Sequence, residues 1–152
     1  MTNKHSLDVI VAESSMDKVL EVNETILEFD TYGRGDFIER IRDVEHTLIV
    51  ASIASKPVGY MVSYDRDSDG SFYCWMTGTS PEARGNGVLK AMMTFQENWA
   101  KSHGYSKISV KTRNNRREMR CFLDKYGFNV VGVERKENVL DNRIFLEKEF
   151  KK

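Results

Sequence analysis

Arg84-Gly85-Asn86-Gly87-Val88-Leu89 places a permanent cation and two glycines directly before an amphipathic run. A helix N-terminus exposes unpartnered backbone N–H groups and the positive end of the macrodipole, which together attract phosphate. Glycines at 85 and 87 remove the side chains that would hold an anion away from those groups. The forked guanidinium of Arg84 matches phosphate oxygens. An ordinary glycine-rich strand-to-helix turn has the same composition, so the segment alone leaves both readings open. Two other phosphate loops are set aside. A dinucleotide fingerprint needs a third glycine near position 90, where Lys90 stands, and the Gly-Lys-Ser/Thr of a Walker loop does not occur.

Lys111-Thr112-Arg113-Asn114-Asn115-Arg116-Arg117-Glu118-Met119-Arg120 holds five basic residues and one acid. Arginines at a helix start oppose the macrodipole unless an anion compensates, so a nucleotide phosphate and a solvated basic helix end are both open readings. The chain is neutral and no aromatic is interleaved with these arginines, so no nucleic-acid partner is expected. Asp65-Arg66-Asp67-Ser68-Asp69-Gly70 imitates the first half of an EF-hand loop. Its twelfth position is Met76 instead of a bidentate glutamate, and its flanks read as strands. An acidic hairpin loop without metal is expected. Cys74 and Cys121 form no CxxC pair and are expected as small core residues, with His46 and His103 at surface element ends.

The elements that must position these residues follow from periodicity. At 152 residues, 40% of them hydrophobic, the chain fits a single domain over residues 1–152 that buries a core without metals or disulfides. Leu7, Val9 and Val11 read as a first strand; Ser14 or Ser15 caps a helix with Val19, Val22, Ile26 and Phe29 on one stripe. Gly33 and Gly35 interrupt it before a short helix through Phe37, Ile38 and Ile41. Strands are expected over 47–54, 58–64 and 72–77, then a long helix with Val88, Met92, Phe95 and Trp99 inward, stopped by Gly104. Ile108 and Val110 mark a strand, Met119, Phe122, Leu123 and Tyr126 a helix, and two strands close the chain. The order β-α-α-β-β-β-α-β-α-β-β makes an α/β fold, a mixed sheet with helices packed on it. Residues 1–70 hold seven Lys/Arg against 14 Asp/Glu, and residues 71–152 hold 16 against nine, which suggests two faces with opposite partners. Met1-Thr2-Asn3-Lys4-His5 lacks a signal peptide's apolar run, and no stretch approaches the ~20 apolar residues of a membrane span. A cytoplasmic address without membrane contact is expected.

Pro81-Glu82-Ala83-Arg84-Gly85-Asn86-Gly87-Val88 resembles the Arg/Gln-x-x-Gly-x-Gly/Ala signature of the GNAT superfamily, the coenzyme A-dependent N-acetyltransferases. Leu123-Asp124-Lys125-Tyr126-Gly127-Phe128 resembles the Tyr-x-Lys-x-Gly-Phe ending of the helix after the next strand in that family, and the element order is similar from end to end. The resemblance implies acetyl-CoA as cosubstrate, bound between splayed parallel strands, the fourth (72–78) and fifth (107–112). Pantetheine would meet backbone near Gly78 and Thr79. The pyrophosphate would sit on Arg84, Gly85, Asn86, Gly87, Val88 and Leu89, with Asn115 a further coenzyme contact at the start of the following helix. A small-molecule or peptide amine would approach from the opposite side, drawn by the acidic first half, and attack the thioester directly without metal. A longer acyl group, a non-amine acceptor and a coenzyme A-binding regulatory module without turnover are the alternatives. Trp99 and Phe150 could serve a homodimer face as easily as the core.

The chain departs from the family pattern in four places. The family's asparagine at the start of the helix after the fifth strand aligns with Arg116, with Asn114 and Asn115 just before it. Leu89 stands where glycine or alanine is usual, and its side chain either crowds the pyrophosphate or points into the sheet. The family's general-acid tyrosine is Leu123 here; Tyr126, three residues on, is expected in the core. Phe72 to Thr77 offers no carboxylate or histidine as a base, which leaves water, a backbone carbonyl, or Glu24 or Glu28. No catalytic residue is assigned on sequence alone. For the acidic loop, added calcium should leave the melting temperature unchanged; a rise that vanishes in Asp67→Ala would place a calcium site there.

Overall fold

Seven strands form one sheet in the computed structural model, which describes residues 8–26 and 32–150; the two central ones are buried on both faces and the outer ones only in part. They are β1 (Val9–Glu13), β2 (His46–Ile53), β3 (Lys56–Tyr64), β4 (Ser71–Thr79), β5 (Lys107–Arg113), β6 (Asn129–Glu134) and β7 (Arg143–Glu149). The helices are α1 (Met16–Asn23), α2 (Arg34–Ile41), α3 (Val88–Ser102) and α4 (Arg117–Tyr126), so the expected element order holds. Leu7, Glu28 and Phe29 lie outside the described residues.

Local chemistry sets the helix ends. Ser15 caps α1 by accepting from the Lys18 N–H at 3.3 Å, and Val19 and Val22 on its inner stripe are fully buried. Ile26, read as part of that helix, is buried just beyond its end. At α2 the Asp36 carboxylate accepts from the Gly33 N–H at 2.8 Å. Gly35, expected to interrupt helix, sits inside the first turn of α2, and Ile38 faces solvent while Phe37 and Ile41 are buried one turn apart. Gly104 takes φ 89° after α3, and the Tyr105 N–H returns to the Ala100 carbonyl at 3.0 Å, closing the helix end as expected.

The strands run β1-β2-β3-β4-β5-β7-β6, every neighbour antiparallel except β4 and β5. That parallel pair requires a crossover, which α3 supplies. Two apolar layers flank the sheet. Val19, Val22, Phe37, Tyr60 and Val62 belong to the layer under α1 and α2; Met61, Phe72, Val88, Met92, Ile108 and Leu123 belong to the layer under α3 and α4. Trp99 and Phe150 pack against this second layer. Cys74 is buried there, whereas Cys121, expected in the core, is exposed, because the inward stripe of α4 falls on Met119, Phe122, Leu123 and Tyr126.

Two features aim the site. Val62 pairs with Met76 and Ser63 with Cys74, so Trp75 is an extra residue without a partner on β3. A bulge of this kind bends its strand and sharpens the twist. On the other side of β4, pairing with β5 stops at Cys74 and Val110. Beyond that point the two parallel strands part, leaving a fork between residues 75–79 and 111–113. The second feature is Gly59 on β3, where a Cβ would lie 2.6 Å from Val88 Cγ1 and 3.1 Å from Met92 Cε. Only glycine lets the first turn of α3 sit so close to the sheet. Gly59→Ala should therefore destabilise by about 1–3 kcal/mol through overpacking, read by urea and thermal unfolding. Val88→Ala in the same chain should return most of that loss, and a Gly59→Ala chain as stable as the parent would contradict the close approach.

Candidate active site at the strand fork

The end of β4 feeds directly into the phosphate-type turn. The Ser80 N–H donates to the Val58 carbonyl at 2.8 Å, and the Ser80 hydroxyl lies 2.7 Å from that of Thr25 just past α1. Pro81–Ala83 forms one 3₁₀ turn with Ala83 buried. Arg84 follows, exposed, its Nε donating to the Thr79 carbonyl at 3.3 Å. Asn86 braces the turn from inside by donating Nδ2 to the Ala83 carbonyl at 2.9 Å.

Gly85 and Gly87 have φ values of 85° and 76°, a left-handed backbone that side chains strain. A Cβ on either would meet nothing within 4 Å, so both glycines open onto free space that a side chain would otherwise fill. No side chain caps α3 and its first turn holds no acid. The first helical bond runs from the Ala91 N–H to the Gly87 carbonyl at 3.0 Å, so the N–H groups of Val88, Leu89 and Lys90 have no acceptor within the helix. Val88 is buried, and Leu89 packs against the core instead of across the turn.

In the antiparallel ladder of β3 and β4, backbone groups alternate between the partner and the far side. The Ser80 bond to Val58 and the pairing of Gly78 with Tyr60 turn the Gly78 amide toward β3. Thr79, like Thr77 two residues earlier, then turns its N–H and C=O away from β3 toward the fork, and the Thr79 carbonyl accepts from Arg84 Nε. At the far side of the fork, Asn114 and Asn115 are pinned through their N–H groups to the carbonyls of Asn142 (2.9 Å) and Leu140 (3.0 Å). Asn114 also donates Nδ2 to Val139 at 3.1 Å, whereas the Asn115 side chain is exposed.

Tyr126 does not face the fork. Its hydroxyl donates to Glu97 Oε2 at 2.9 Å and lies 2.8 Å from Thr94 Oγ1, both on α3, and its ring stacks on Phe122. Burial, with Glu97 beside it, pushes its pKa up to about 12. Leu123, at the family's acid position, is fully buried. Cys74 is held as a thiol by burial, its pKa pushed up to about 12. His46 opens β2 with Nδ1 2.9 Å from the Val44 carbonyl, and His103 ends α3 stacked on Trp99; neither approaches the fork. Glu24 caps the C-terminus of α1, exposed.

Among the described residues, the charged groups over Trp75 are not the expected acids; Glu28 and Asp30 of the acidic first half lie outside those residues. Many first-half carboxylates are engaged elsewhere. Asp17 pairs with Arg34, Asp36 caps α2, Glu45 and Asp65 accept from the Tyr105 hydroxyl, and Asp69 accepts from Ser71. Above Trp75 and Tyr73 stand the guanidinium groups of Arg40 and Arg66, 4.5 and 4.0 Å from the ring centroids. Sequence reading missed this. The clue available was Lys111 and Arg143, each next to a core residue on a strand and so committed to the opposite face. In the loop 65–70 the carboxylates serve the turn itself, with the Ser68 N–H on Asp65 at 3.1 Å and Arg66 on Asp67.

The backbone superposes on solved acetyltransferases along nearly its whole length. Ard1 from Thermoplasma volcanium has a TM-score of 0.79 at 16% identity, covering 95% of this chain and 99% of that one. The ribosomal-protein-S18-alanine N-acetyltransferase from Escherichia coli scores 0.78 at 9% identity, covering 93% and 94%. A Bacillus subtilis acetyltransferase in complex with CoA scores 0.72 at 14% identity, covering 95% and 99%. No curated protein matches the sequence. At these identities the structures share the fold. The family itself is given by the sequence model of the acetyltransferase (GNAT) family, which matches residues 16–128 and so takes in α1, the fork, the Arg84–Leu89 turn and α4. The chain belongs to the GNAT acetyltransferase family and is an acyltransferase.

Proposed function

We propose that the chain transfers acetyl from acetyl-CoA to a primary amine by direct attack. The observation that carries this reading is the open turn at Arg84–Leu89, set on the N-terminus of α3 beside the parted ends of β4 and β5. The residues fit a pyrophosphate: two side-chain-free positions, three N–H groups without helical acceptors, and a guanidinium. Arg84, Gly85, Asn86, Gly87, Val88 and Leu89 would hold it. Thr79 would offer backbone bonds to pantetheine, with Gly78 supplying clearance and Asn115 a polar contact at the opposite wall. Bound there, acetyl-CoA supplies an activated acyl group whose leaving thiol has a pKa of ~8.5.

The protein's own part is positioning. A thiolate of that basicity departs without an acid, which agrees with Leu123 at the acid position and with Tyr126 committed to α3. No carboxylate or histidine lies on 72–77, so the amine's proton passes to water, while a backbone carbonyl at the bulge can accept a hydrogen bond that orients the N–H. No metal is invoked. A cytosolic address follows in the same reading.

Arg84→Glu places an anion against the pyrophosphate and should weaken acetyl-CoA binding by at least ~1.5–3 kcal/mol in calorimetry. Unchanged affinity in a folded variant would move the site elsewhere. Tyr126→Phe removes the hydrogen bonds to Glu97 and Thr94 but keeps the ring, so stability should fall by ~1–2 kcal/mol while kcat stays within threefold. A drop of 10²–10⁴-fold, the usual worth of a positioned proton donor, would make Tyr126 the general acid.

A further inference from the structure

On the sheet face opposite α3, a row of cations crosses the mouth of the fork. Trp75 and Lys111 each directly follow the last residue pair of β4 and β5, Cys74 with Val110. Arg40 lies over Trp75, its guanidinium carbon 4.5 Å from the ring centroid, with Nη1 donating to the Tyr64 hydroxyl at 3.4 Å. Arg113 faces Arg143 across the β5–β7 ladder, and side chains paired in this way share a face.

Among the described residues, Arg40, Lys111, Arg113 and Arg143 make no ion pair with a carboxylate. Glu134 lies opposite Arg143 and binds Lys136, its charge also reaching Lys111 and Arg143, and Glu137 and Asp141 line the same hollow as Arg113 and Arg143 without pairing with them. In the β3–β4 loop, Asp67 is taken by Arg66. Burial, then the nearness of Arg143, Arg66 and Arg40, lowers the pKa of the Lys111 ammonium. Like charges converging on an aromatic floor repel in the empty protein, and an anion placed among them removes that repulsion.

We propose that the acceptor is a small amine that also bears a carboxylate, of the free amino acid class, with the carboxylate held by Arg40, Lys111 and Arg143 beside Trp75. This rests on acetyl-CoA occupying the fork. A carboxylate fixed there sets the amine of the same molecule at the parted ends of β4 and β5. The amine nitrogen bonds to the acetyl carbon as the carbon–sulfur bond breaks, coenzyme A leaves as thiolate, and the surplus amine proton passes to water. A polycationic amine is repelled by the same row.

The test is a panel of free amino acids, their carboxamides and linear polyamines, assayed with acetyl-CoA. At least one free amino acid should exceed its carboxamide and every polyamine by tenfold or more in kcat/KM. Lys111→Met and Arg143→Gln should each raise KM for that amino acid at least tenfold and shrink its advantage over the carboxamide, with parental acetyl-CoA affinity and melting temperature. Equal rates for acid and amide, faster polyamines, or no acetylated amino acid while acetyl-CoA binds would each overturn the assignment. Loss of acetyl-CoA binding itself would instead refute the coenzyme site, which calorimetry reads separately.

Discussion

The unpaired Trp75 is the constraint on which the rest depends. Because it has no partner on β3, β4 turns away from β5 after Cys74, and a sheet that would otherwise close stays open at one end. The backbone N–H groups released there, on Thr77 and Thr79, are polar groups of a sheet interior that β5 no longer pairs. The same bend delivers Ser80 to Val58 and starts the turn into α3, so the fork and the anion-binding helix end are one construction.

Around that construction the two sheet faces divide the labour. Apolar side chains of α3 and α4 fill one face, leaving the helix end and its glycines as the polar opening. On the other, α1 and α2 bury an aromatic group that includes Phe37, Tyr60, Tyr64 and Tyr73, and Trp75 packs at its edge. Arg40 and Arg66 lie over rings of this group, where cation–π contact holds a guanidinium in place with little loss of charge. The whole chain is neutral, yet among the described residues the charges over Trp75 and Tyr73 are cations; folding sorts charge that the totals average away.

What was legible in the sequence is what local chemistry dictates. Gly85 and Gly87 stand where the backbone is left-handed, Ser15 caps α1, and the alternation through Ile144 and Leu146 makes β7. What was not legible depends on partners far along the chain. The Trp75 bulge is a mismatch of register between two strands, and nothing in Phe72 to Thr77 alone announces it. Arg40 and Arg143 meet the same patch from a helix and a strand far apart in sequence. The cations over Trp75 and Tyr73 were not foreseen because charge was summed by position along the chain, while the fold spends Asp17, Asp36, Glu45 and Asp65 on other tasks. Cys121 was misplaced for a simpler reason: one residue off the inward stripe of a helix is enough to face water.

The contact at Gly59 has a consequence for how fast and how tightly the turn can capture an anion. With Val88 seated against a bare backbone, the first turn of α3 has no room to move closer to the sheet. Its amide dipoles are aimed by packing that exists before any phosphate arrives. The more of that ordering folding has already supplied, the less entropy capture has to surrender.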